Sequence, residues 1–213
     1  TSPVYREPIR ITERTAEENR YINRDDLAPN QDYEPAFPVD KAVVVRAACY
    51  NPATNQISET VTQTYFVGYD AKPEYDDLAI LSLSVDPESL FDAHTGIYGN
   101  GAAFAAYLSQ GGMQDGQILD SYTDAGGEIH YRYMASNAFY KGKEWEREAS
   151  LSYFDESHTL LFTQNAGVRI SGNSTRSARQ KSFHLFARDI YDETGILPAA
   201  FFDNDILYAS VKL

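Results

Sequence analysis

Apolar and polar residues alternate along much of this 213-residue chain with a period of two rather than the helical period of about 3.6. Residues 42–50 and 59–67 predict two strands, and Asn51-Pro52-Ala53-Thr54-Asn55 between them supplies the turn of a hairpin. Val61, Tyr65 and Val67 share one face of the second strand, as a half-buried antiparallel strand requires. Cys49 continues the row Val43, Val45, Ala47 and reads as a small core residue. Residues 8–11 predict a short earlier strand, followed by a polar stretch to about Pro38.

A new core strand is expected over 78–85. Asp86 then caps a helical turn with Pro87 at its first position. Gly96 to Gly101 reads as a glycine-rich turn, and 102–110 as a short helix ended by Gly111-Gly112. Residues 113–140 read as an irregular insertion, with clear alternation only at 129–133. Strands are expected at 145–154, 158–162, 167–170, 182–186 and 206–213, with a tight turn at Asp155-Glu156-Ser157. Glu144, Glu146 and Glu148 read as one solvated strand face beside a partly buried Trp145. The fold class is therefore mainly β (α+β).

Composition agrees. Tyr (16) and Phe (11) far outnumber Trp (1) and Met (2), which favours strands. The formal net charge of -13 disfavours nucleic acid or an anionic membrane as partner, since each needs a basic face. No apolar run is long enough for a membrane span. The single cysteine excludes a disulfide or cysteine-based zinc site within the chain. The histidines (94, 130, 158, 184) match no zinc-helix spacing. Asp203-Asn204-Asp205 lacks the glycine and distal glutamate of a calcium loop, so no metal site is assigned.

Against this acidic background, Arg169, Arg176, Arg179 and Lys181 fall within thirteen positions. They lie on two strand-like runs joined by the small polar turn Ser171-Gly172-Asn173-Ser174-Thr175. A cationic hairpin suits an anion such as a nucleotide triphosphate. Lys181 is the leading phosphate contact, as a point charge on a strand. Arg176 and Arg169 can grip phosphate oxygens through planar donors. Ser171, Gly172, Asn173 and Ser174 can offer backbone amides in a nest-like turn. The alternative is that the cations only neutralise neighbouring carboxylates on a sheet edge.

Three ordered blocks carry a family resemblance over roughly residues 73–213. They are Leu83-Ser84-Val85-Asp86-Pro87-Glu88-Ser89-Leu90-Phe91-Asp92 with Gly96-Ile97-Tyr98, Glu144-Trp145-Glu146-Arg147 leading into Ser152-Tyr153-Phe154-Asp155, and the hairpin Gly167 to Arg176 followed by Gln180-Lys181-Ser182-Phe183. Together they resemble the spore coat protein H (CotH) kinase family. Upstream, Pro3-Val4-Tyr5, Pro8-Ile9-Arg10-Ile11, Ala42 to Ala47 and Val61 to Val67 resemble a chitobiase/hexosaminidase C-terminal-type immunoglobulin-like module that lacks its first strands.

The resemblance implies two parts. Residues 1–72 would be a truncated Ig-like β-sandwich piece. Residues 73–213 would be the N-terminal portion of a CotH-like kinase domain, an antiparallel sheet like the N-lobe of an atypical protein kinase. It implies a bacterial secreted, cell-surface or spore-coat enzyme that uses ATP and magnesium to phosphorylate serine in a protein substrate. ATP and magnesium are thereby assigned to the whole kinase rather than to this chain by itself. The metal-holding and catalytic acidic residues are expected beyond Leu213, so residues 1–213 are expected to be inactive alone. The competing expectation is a non-enzymatic surface module that binds a glycan or a protein through its aromatic residues.

Overall fold

The computed structural model describes residues 3–19, 37–109, 118–123, 126–127, 129–133, 136–178, 180–199, 201 and 206–213. In chain order the first strands are β1 (Val43–Ala47), β2 (Tyr50–Asn51), β3 (Gln56–Ile57), β4 (Val61–Tyr65) and β5 (Ile80–Val85). Two helices follow, α1 (Pro87–Phe91) and α2 (Gly101–Ser109). The remaining strands are β6 (Ile118–Thr123), β7 (Ile129–Tyr133), β8 (Arg147–Phe154), β9 (Leu160–Ile170), β10 (Phe183–Phe186) and β11 (Ser210–Lys212).

The centre is a five-stranded sheet in the order β11-β10-β9-β8-β5, antiparallel at every pairing. Its inner face carries Leu83, Val85, Ala149, Leu151, Val168, Ile170, Leu185 and Val211, onto which Ile97 and Leu197 fold from the connecting segments. Leu151, Val168, Leu185 and Leu197 are fully excluded from solvent. Each contributes about 1.5–3 kcal/mol by burial.

Helix α1 forms as its local sequence dictates. The Asp86 side chain accepts the Glu88 backbone N–H at 2.9 Å, and Pro87 occupies the first turn, where no N–H is needed. The β8–β9 turn is held by Asp155, whose Oδ1 accepts from the backbone N–H groups of Ser157 and Thr159. The Ser157 hydroxyl, which donates to the same oxygen at 2.7 Å, and then the Thr159 N–H hold the Asp155 carboxyl below the usual range.

The opposite face of the sheet is lined with small hydroxyls, and the β1–β4 ribbon packs across it. The hydroxyls of Thr64 and Ser82 hydrogen-bond at 2.9 Å, as do those of Ser152 and Thr163. Phe66 meets Phe154 edge-on, with centroids 5.3 Å apart. A second tie uses Asp40, which accepts from Lys72 Nζ and from the Tyr75 hydroxyl at 2.7 Å. This hydrogen bond to an anion pushes the Tyr75 pKa up to about 12.

Several expectations are corrected. In β4 the buried residues are Thr62 and Thr64, while Val61 and Tyr65 face solvent. The ribbon turns its hydroxyl face to the hydroxyl-lined sheet, so hydrophobicity gives the inverse of the true face. Cys49 is exposed because β1 ends at Ala47, and its backbone bonds Ser58 outside the main ribbon. Residues 8–11 form no strand. Residues 158–170 do not hold two strands, because Thr163 to Ala166 keep one continuous 11-residue strand. Within 113–140, β6 and β7 pair as a hairpin. The terminal strand is three residues long. Gly111, Gly112, Arg179 and Asp203 to Asp205 lie outside the described residues.

Among the described residues, no helix is long and apolar enough to cross a membrane.

Candidate functional site

The β9–β10 hairpin is built as its sequence predicts, with Phe183 opposite Ile170 and Phe186 opposite Gly167. Its connection leaves the sheet at Ser171, whose N–H donates to Ser182 O at 2.7 Å. Gly172 follows at φ +95, a backbone angle that L side chains rarely adopt. A short 3-10 turn at Ser174–Ser177 comes next. Ser171 is buried, and Asn173 is exposed.

Lys181 is 7% exposed. Its ammonium donates to Ala178 O at 2.8 Å and lies 5.0 Å from the centre of the Tyr98 ring. Its backbone N–H also donates to the Tyr98 hydroxyl. Among the described residues it has no carboxylate partner, and burial pushes its pKa down to about 8.

Arg176 is equally buried, and its environment is quite different. It donates to four backbone carbonyls, those of Gly172 (2.7 Å), Ile170 (2.6 Å), Ala138 (2.8 Å) and Tyr140 (3.2 Å). Burial, and then the nearby Arg169, hold its pKa below the ordinary arginine value. Four of its five donors are thus committed to pinning the segment around Ala138 against the hairpin. The expectation of a free phosphate-gripping fork at Arg176 is corrected.

Arg169 lies on the other face of the sheet. In β9 it alternates with Val168 and Ile170, which point into the core, and its guanidinium sits 4.1 Å from the Phe186 ring centre. The expectation that Arg169 and Lys181 converge is therefore corrected by strand parity.

The outer face gathers residues that the sequence did not assign to a site. Glu146 is buried and takes both oxygens of its carboxylate to Arg188, at 2.8 and 3.0 Å. The same carboxylate lies 3.6 Å from Arg169 Nε. Burial, followed by the Glu146 charge, pushes the Tyr191 pKa up to about 12. Glu146 is thus no member of a solvated face, and this is a further correction. Gly167 makes the room, since a Cβ there would stand 2.6 Å from Glu146 Oε1 and 2.7 Å from the Tyr191 ring. Trp145 is half-buried and stacks on Tyr140 at 4.4 Å.

No group of three or more His, Cys, Asp or Glu side chains suited to a metal ion occurs among the described residues. None of the described residues is therefore assigned to magnesium. Compared with known proteins, the chain matches no family model, no curated protein and no solved structure.

Proposed function

We propose that this chain is the nucleotide-contacting side of a CotH-like protein kinase, with Lys181 as the residue that meets the phosphates of ATP. The observation that carries the proposal is the buried ammonium of Lys181, which has no carboxylate partner among the described residues. A cation held this way gains most from an anion that arrives with the ligand. Phosphoryl transfer asks the protein mainly for positioning and charge, and a strand-borne lysine is suited to that. The motif resemblance of residues 73–213 supplies the reaction class, transfer to serine of a protein substrate with magnesium and ATP, outside the cytoplasm. Arg176 holds the hairpin that carries Lys181, and Arg169 acts elsewhere.

Calorimetry with ATP and magnesium tests the proposal. Wild-type chain is expected to bind and Lys181→Met to lose binding at least tenfold. Equal binding by both proteins removes Lys181 from the site.

A second reading is favoured by the outward faces of the early strands. Val61 (71%), Tyr65 (41%), Tyr50 (58%) and Ile57 (71%) are all exposed. Such a surface suits a cell-surface glycan or protein. A glycan array with wild type and Tyr65→Ala distinguishes this reading, because it needs no contribution from Lys181.

A further inference from the structure

The outer face of the five-stranded sheet carries an ordered row of ionisable groups. Arg169 in β9 lies directly opposite His184 in β10, and His184 lies directly opposite Lys212 in β11. Extending the β8–β9 register by one residue places Glu146 opposite Arg169. Directly opposed residues share a face, and adjacent strands are about 4.8 Å apart, so Arg169 and Lys212 flank His184 at reach of one small ion. Arg188 completes the group from the end of β10, its guanidinium 4.7 Å from the same Phe186 ring that Arg169 covers.

Arg169 and Lys212 are less well neutralised than Arg188. Glu146 spends its bidentate geometry on Arg188, leaving Arg169 only a 3.6 Å approach. Glu148, one row away, is a further carboxylate on this face, and Asp189 acts on Arg188. Among the described residues, three permanent cations thus meet three carboxylates, and Glu146 and Asp189 both act on Arg188. Protonation of His184 then adds one positive charge to the row. Arg169 and His184 are half-buried and Lys212 is exposed, so the row is open to an ion from solvent.

We propose that this row is a second anion site, taking a phosphate-class dianion between Arg169, His184 and Lys212. It is separate from the Lys181 position, which lies on the core side of the same sheet. The charge that His184 gains on protonation favours a dianion over a monoanion, and the planar donors of Arg169 suit an oxyanion. Binding is coupled to His184. Burial first, then Lys212, Arg169 and Arg188, hold its pKa below the ordinary histidine value, while Glu146 acts against them. An anion in the row cancels that repulsion, so it raises the His184 pKa and binds more tightly at lower pH.

The test is an NMR titration of the His184 ring against pH in wild-type chain, with sulfate, inorganic phosphate or chloride at matched ionic strength. Sulfate stays a dianion throughout, so its pH dependence reports on the protein. Sulfate and phosphate are expected to raise the His184 pKa, and Lys212→Gln to weaken both about fivefold. Lys181→Met is expected to leave both unchanged, which separates this site from the nucleotide proposal. Lys212 is exposed, so its replacement leaves the fold intact. An O-phosphoserine arm identifies the source. Binding as tight as inorganic phosphate assigns the site to phosphomonoesters, and exclusion assigns it to the free ion. A His184 titration identical in sulfate and chloride overturns the proposal, as does an equal response from Lys212→Gln.

Discussion

Replacing Lys181 with methionine should make the protein more stable at neutral pH. Its pKa falls from 10.5 to about 8 because burial disfavours the charged form. At about 1.4 kcal/mol per tenfold, that fall represents about 3 kcal/mol opposing folding at pH 7. Two contacts offset it. The ammonium donates to Ala178 O, worth about 1.5 kcal/mol, and it approaches the Tyr98 ring, worth about 0.5 kcal/mol. Lys181→Met, similar in length and without charge, should therefore gain about 1 kcal/mol near pH 7.

The pH dependence is the sharper part. Between the folded and unfolded pKa values the unfolded chain holds the proton that the folded chain has released, so wild-type stability rises with pH in that window. The advantage of Lys181→Met should shrink by about 2 kcal/mol from about pH 8 to about pH 10 and change sign. Urea denaturation of both proteins across this range measures it, and tyrosine titrations shared by the two cancel in the difference. A variant less stable at pH 7, with a difference that stays flat to pH 10, would refute the burial argument.

Other expectations follow from the same contacts. Arg176→Met takes the donors from four carbonyls, two of them on the buried Ile170 and Ala138, and should cost about 3–5 kcal/mol by denaturation. Gly167→Ala drives a methyl group against a carboxylate that Arg188 already fixes. It should cost about 1–3 kcal/mol, and a neutral result would mean the Glu146 pocket is loose. Asp40, whose carboxyl is held low first by its hydrogen bond to Lys72 and then by that to Tyr75, stabilises the fold above the unfolded carboxyl pKa. That contribution is lost as pH falls through the folded value, so Asp40→Asn should flatten the acid limb of a thermal melt series.

The central sheet was legible because its strands alternate cleanly and its turns carry strong local chemistry. Asp86-Pro87 and Asp155 act within a few residues of themselves, so no tertiary information was needed to find α1 or the β8–β9 turn. The face of β4 was not legible, because the layer it covers is lined by Ser82 and Ser152 and rewards threonine over valine. The outer row was hidden for another reason. A one-residue register shift between Tyr153 and Phe154 means that counting outward from the turn sets Glu146 opposite Val168 instead of Arg169. The parity separating Arg169 from Lys181 could have been read from their spacing only if the long connection between β9 and β10 had been regular. The Ser174–Ser177 turn breaks that count.

The most direct measurement is the titration of the Lys181 ammonium by NMR, with and without ATP and magnesium. Free protein should show a pKa near 8, and nucleotide should raise it toward the ordinary lysine value as phosphate replaces lost solvation. A Lys181 pKa that starts near 10.5, or one that starts low and does not move at saturating nucleotide, contradicts the assignment of this residue to a phosphate.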